Sequence, residues 1–142
     1  MCIRDRPYLK RINLTAEQEV GPSFLTKLHL KHLIAVPFEN LDIRQGIRIA
    51  LDERRFYEKI VCRRRGGFCY ELNGLFRRLL AELGFSVSIA SGRVYNALEN
   101  RFGQEFDHMV RNVPLESPEM FQQLLVEIFG ISIDSQPIHP IK

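Results

Sequence analysis

The stretch Arg65-Gly66-Gly67-Phe68-Cys69-Tyr70-Glu71-Leu72-Asn73 restricts the fold more than any other part of the chain. From Leu72 onward, Leu72, Leu75, Phe76, Leu79, Leu80 and Leu83 recur on one face of a helix, and Gly84 follows where a left-handed stop is needed. Cys69 then lies in the first turn of that helix. Unpaired backbone N–H groups and the positive end of the macrodipole there favour the thiolate, the nucleophilic form of cysteine. Gly66 and Gly67 remove two side chains just before it and allow a tight approach to the helix. A nucleophile and a buried structural cysteine both fit this position, and the helix alone does not separate them.

A chain of 142 residues has the length of one domain with a single core. Hydrophobic residues at 45% and charged residues at 26% exclude a disordered polymer. A net charge of +3 allows weak attraction to phosphates without requiring a nucleic-acid partner. The apolar runs are too short to cross a bilayer and no apolar signal region opens the chain, so the expectation is a cytoplasmic protein without a membrane partner. Cys2, Cys62 and Cys69 are odd in number and lack metal-like spacing, so reduced thiols and no metal are expected.

Along the chain, Met1 to Arg6 carries no clear pattern, and Tyr8, Leu9 and Ile12 suggest a short helix. Gly21-Pro22 is a break, and Ser23 can cap a second helix with Phe24, Leu25, Leu28 and Leu33 on its apolar face and Ile34 beside them. His29 and His32 sit on that helix; HxxH without further ligands reads as packing or surface rather than metal binding. Pro37 stops the helix. Asn40 and Asp42 fit a structured turn, and Asp52 caps a third helix through Val61 that buries Phe56, Tyr57 and Ile60. After Gly84 the period changes to two, with Phe85, Val87 and Ile89 alternating against Ser86, Ser88 and Ala90. Asn96 to Gln104 reads as a polar loop, and further strands are expected at Phe106–Val110 and Leu124–Phe129. Helices first and strands after predict an α+β fold.

A cysteine nucleophile needs a base. His108 is the best-placed candidate, because His29 and His32 belong to the helical part and His139 lies in a Pro-rich tail. Spacing does not prove the pairing, and a hydrogen-bonded structural histidine fits the same strand.

The segment RGGFCYELNGLF from Arg65 to Phe76 resembles the active-site signature of the arylamine N-acetyltransferases. VPFENLDI (Val36–Ile43), YLKRI (Tyr8–Ile12), GRV (Gly92–Val94) and FDHMV (Phe106–Val110) are similar to that family too, in its order. The resemblance implies a helical bundle over residues 1–84 carrying the nucleophile, and an incomplete antiparallel β-barrel over 85–142. It also implies a cysteine-protease-like active site, and the lid domain of the family would be absent. It assigns Cys69 as nucleophile and His108 as general base, Arg65 and Glu39 as supporting residues, and Phe38 and Val94 as walls of the acceptor pocket. The implied reaction is ping-pong: acetyl-CoA acetylates Cys69, coenzyme A leaves, and an arylamine or hydrazine takes the acetyl group.

The sequence departs from the family after its histidine strand, where an aspartate followed by Val-Gly-Phe-Gly would supply the third catalytic group. The nearest segment, Leu125 to Gly130, puts Glu127 at that position, with Asp134 a second candidate. Two other readings are an inactive family fragment that acts at most as a binding module, and a basic module presenting Arg63, Arg64, Arg65, Arg77 and Arg78 to phosphates.

Overall fold

The computed structural model describes residues 5–15, 19–96, 98–104, 106 and 108–113. Helices come first: α1 (Asp5–Arg11), α2 (Pro22–Ala35), α3 (Leu41–Arg44), α4 (Glu53–Tyr57), a π-helical turn continuing α4 (Glu58–Cys62), and α5 (Cys69–Glu82). Short strands follow: β1 (Ser88–Gly92), β2 (Tyr95–Asn96), β3 (Arg101–Phe102) and β4 (His108–Asn112). The order is α+β, as expected. The chain divides after Phe85 into two compact units, residues 1–85 and 86–142. Among the described residues no helix is long and apolar enough to cross a membrane.

In the first unit the core gathers on α5, whose Leu75, Phe76, Leu79 and Leu80 are buried as their spacing requires. Leu72 and Leu83, at the edges of that stripe, are only half-buried. Gly84 ends the helix at φ +99°. Its N–H donates to the Ala81 carbonyl (3.1 Å) and the Phe85 N–H to that of Leu80 (3.0 Å), a Schellman stop. Phe85 thus closes the helix rather than opening a strand, and its ring packs 6.2 Å from that of Phe24.

Helix α2 corrects the sequence reading at its start and along its face. Gly21, not Ser23, is the N-cap, with extended backbone and Pro22 at the first helical position, where a missing N–H costs nothing. The buried stripe is Phe24, Leu25, Leu28, His29 and His32, whereas Leu33 and Ile34 are 39% and 73% exposed. Both histidines take core positions because ring partners meet them there. His32 lies 4.6 Å from the Phe76 ring and hydrogen-bonds through Nδ1 to the Tyr8 hydroxyl (3.0 Å), while His29 stacks on Phe76 at 5.9 Å. The packing reading of these histidines holds.

Asp52 caps α4 as expected, accepting the Arg54 N–H at 2.8 Å, and Phe56 and Ile60 are buried, though Tyr57 is only half-buried. The helix then widens into the π-turn on which Lys59, Ile60 and Val61 are buried in succession. Arg11 of α1 closes its end, donating to the carbonyls of Ile60 (3.3 Å) and Arg64 (3.4 Å).

The second unit begins its regular structure later than the alternation suggested. β1 starts at Ser88 and pairs antiparallel with β4, with Gly92 opposite His108 and Ala90 opposite Val110; Ala90, not Ile89, is the buried residue. Phe106 is not in the strand. It sits at φ +64° with its N–H donated to Ser91 Oγ (3.0 Å), so pairing starts at His108. The stretch expected as a polar loop holds a small hairpin instead, β2 with β3, whose Tyr95 and Phe102 rings meet at 5.1 Å. Asn96 accepts the Leu98 and Glu99 N–H groups to make its turn. The strand expected at 124–129 lies outside the described residues.

Candidate functional site

Cys69 is the first residue of the 14-residue helix α5 and is buried. What places it there begins with the two glycines. Gly67 bridges Phe38 in parallel: the Gly67 N–H donates to the Pro37 carbonyl (3.3 Å) and the Glu39 N–H to the Gly67 carbonyl (3.0 Å). A Cβ on Gly66 would stand 1.9 Å from the Pro37 oxygen, and one on Gly67 would stand 2.8 Å from Glu71 Oε2. Both positions need glycine for close approach rather than for unusual dihedrals. The motif around Phe38 and the motif around Cys69 are therefore one structural unit.

A buried charge cluster locks this unit. Lys59 Nζ lies 2.7 Å from Glu71 Oε2, 2.9 Å from Asp42 Oδ2 and 3.5 Å from Glu39 Oε1. Arg65 Nη2 lies 2.8 Å from Glu39 Oε1 and 2.6 Å from Asp42 Oδ1, the latter an ion pair off the hydrogen-bond axis. Glu71 closes the cluster onto the helix start by accepting the Phe68 N–H at 3.1 Å, and Glu39 accepts the Leu41 N–H at 2.8 Å. Phe68, at the N-cap, has no acceptor to return, so this is half of a capping box.

Electrostatics follow the contacts. The Lys59 ammonium holds the Asp42 carboxyl below its ordinary 3.8, against burial and with help from Arg65. Burial pushes Glu39 up, but the Leu41 N–H and the two cations outweigh it and leave it below 4.5. Burial likewise pushes Lys59 down, and its bonds to Glu71 and Asp42 outweigh that and raise it above 10.5. Depressed carboxyls stabilise the fold above their unfolded values and lose that contribution as pH falls through the folded ones; raised Lys59 loses its contribution only above 10.5. Thermal unfolding should therefore be level near neutrality and weaken below about pH 4. Asp42→Asn should lower the midpoint at neutral pH and flatten that acid limb; an unchanged acid slope would contradict the assignment.

The sequence reading named Arg65 and Glu39, which do pair, but passed over Lys59, Asp42 and Glu71 as site residues. Rather than bonding local backbone in a turn, Asp42 is the second residue of the one-turn α3 and faces the cluster. The missed signal was a lysine between Phe56 and Ile60 on a buried helix face, where an ammonium needs partners. Phe38 is 65% exposed in the first unit and Val94 is 52% exposed in the second. His108 opens β4 in the second unit, on the strand face it shares with Val110. Glu127 and Asp134 lie outside the described residues, as does Asp107. Arg63, Arg77 and Arg78 pair with Glu58 (2.6 Å), Glu53 (2.8 Å) and Glu82, so this basic run is largely neutralised by its own helices. Among the described residues no three His, Cys, Asp or Glu side chains form a metal-ligating group.

Residues 23–121 match the profile of the N-acetyltransferase family. The chain is 40% identical over 121 residues to an arylamine N-acetyltransferase of Escherichia coli K12, a match covering 85% of this chain and 38% of that protein. A Bacillus cereus arylamine N-acetyltransferase, described as having a unique Cys-His-Glu catalytic triad, superposes with a TM-score of 0.72 at 28% identity, covering 82% of this chain and 46% of that one. The Mycobacterium marinum arylamine N-acetyltransferase solved in complex with CoA gives a TM-score of 0.67 at 36% identity, covering 79% and 42%. The chain thus spans less than half the length of these relatives.

Proposed function

The chain belongs to the arylamine N-acetyltransferase family, and on that premise we propose that it carries the nucleophile end of an acetyl-CoA-dependent transferase acting on arylamines or hydrazines. Cys69 as a thiolate attacks the thioester carbonyl of acetyl-CoA. The tetrahedral intermediate collapses with cleavage of the carbon–sulfur bond to coenzyme A, which leaves with the proton that the His108 imidazolium gives up. The amine nitrogen then attacks acetyl-Cys69 and passes its proton to His108, and the carbon–sulfur bond to Cys69 breaks. Glu127 orients the His108 imidazole in this reading, a role supported by the Cys-His-Glu triad described for the Bacillus cereus relative. The CoA-bound Mycobacterium marinum relative supports the donor. The exposed Phe38 ring, with Val94, suits a flat aromatic acceptor. The helical bundle with a partial antiparallel barrel and a cysteine-protease-like arrangement belongs to the same proposal, as does a reducing, cytoplasmic setting, which the free thiols of Cys62 and Cys69 fit.

The observation that carries this reading is Cys69 at the first position of α5, held behind two glycines that admit no side chain. Incubation with acetyl-CoA and intact-mass measurement should show one acetyl adduct, absent in Cys69→Ser and discharged by an arylamine. A chain that is thermally stabilised by the amine or by CoA yet never gains the adduct would bind without transferring, and the proposal would fall.

A further inference from the structure

We propose that Lys59 is a positioning residue for Cys69, acting through Glu71 to pin the start of α5 at the residue where the nucleophile sits. This rests on the acetyl-transfer reading for its functional meaning, but its geometry stands apart from the donor and acceptor. Glu71 Oε2 is shared: it takes a charge-assisted hydrogen bond from Lys59 at 2.7 Å and the Phe68 N–H at 3.1 Å. Phe68 is the residue immediately before Cys69 and has no side-chain acceptor with which to cap the helix. Glu71 is thus the side chain that supplies the reciprocal half of the capping box, and Lys59 fixes where its carboxylate points.

Two features show that Lys59 is held for this purpose rather than left to wander. It is buried, with Asp42 and Glu39 as its other partners at 2.9 and 3.5 Å, so its ammonium is anchored by more than Glu71 alone. It also sits on the π-turn, whose carbonyl at Lys59 accepts the Arg65 N–H at 3.1 Å, tying the residue by backbone as well to the segment that leads into Cys69. π-turns interrupt a helix at a cost and recur where a side chain must be aimed. An aliphatic residue at 59 would leave the Glu71 carboxylate without its ammonium partner, and Glu39 and Asp42 with Arg65.

The test compares Lys59→Met with Lys59→Arg by amide hydrogen exchange and by single-turnover acetylation of the full chain. In Lys59→Met the Phe68 N–H should exchange at least tenfold faster while the Leu79 N–H, in the middle of α5, keeps its protection. The acetylation rate constant should fall by at least tenfold with little change in the acetyl-CoA concentration at half-saturation, and Lys59→Arg should recover most of both. A loss of structure alone would speed Phe68 and Leu79 together. If Lys59→Met does not fold, Glu71→Asp serves: one methylene shorter, it cannot span Lys59 and the Phe68 N–H at once, and the same local exchange is expected with Lys59 still paired to Asp42. Unchanged Phe68 protection in a folded variant overturns the positioning role and leaves acetyl transfer standing. Absence of acetylation in the unaltered chain, with the Phe68 N–H still protected through Glu71 and Lys59, overturns the transfer and leaves the positioning intact.

Discussion

Gly66→Ala is expected to unfold the protein or cost it about 3 kcal/mol or more, well above the mean for single substitutions. The added methyl would meet the Pro37 carbonyl oxygen at 1.9 Å and its carbon at 2.9 Å, and both are backbone atoms that no rotamer change can move aside. Relief requires separating residues 37–39 from 66–67, which breaks both hydrogen bonds of the Phe38–Gly67 bridge and pulls Arg65 from Glu39. Gly21→Ala is the control. A Cβ there meets nothing within 4 Å, and loss of a glycine N-cap costs about 1 kcal/mol. Chemical denaturation of the two variants gives the comparison, and equal midpoints would mean the close approach does not exist in solution. In whatever fraction of Gly66→Ala remains folded, Cys69 should acetylate poorly, because the turn that presents it has shifted.

Phe76→Ala should cost roughly 3–5 kcal/mol, the range for deleting a fully buried aromatic ring. Phe76 is 1% exposed and is the ring against which both α2 histidines rest, at 4.6 and 5.9 Å. Its removal empties the space that lets His29 and His32 serve as core residues, and leaves two imidazoles beside a void, with the Tyr8 contact of His32 still in place. Leu33→Ala, at an exposed leucine of α2 that the sequence pattern had placed on the apolar face, should by contrast change stability by less than about 1 kcal/mol. Should the two losses prove alike, the assignment of the α2 core to the histidines is wrong.

These cases show where the sequence was readable. The helix from Cys69 and its stop at Gly84 were legible because leucine spacing and a glycine at the left-handed position are local signals. The capping by Asp52 was legible for the same reason. The face of α2 was not, because hydropathy ranks Leu33 and Ile34 above His29 and His32, and tertiary contact with the Phe76 and Tyr8 rings reverses that order. The start of β1 was misplaced because Phe85 satisfies a strand alternation and a Schellman stop equally well, and tertiary contact with Phe24 decides between them. The charge cluster illustrates the limit for the site. Arg65 and Glu39 came from a motif, while Lys59 is signalled by its place between Phe56 and Ile60 on a buried helix face, and packing brings it together with Asp42 and Glu71.

The parallel bridge between Phe38 and Gly67 has a consequence for the order of events in folding. Its two arms are 29 positions apart in the chain, with α3, α4 and the π-turn between them, so the bridge closes only after a long loop has been paid for in entropy. Residues 69–82 can coil locally as soon as they are synthesised, but the residue that bridges Gly67, two positions before Cys69, arrives from a distant segment. A nascent chain therefore acquires its helix early and the backbone clamp on the turn before Cys69 late, once the surrounding bundle has formed.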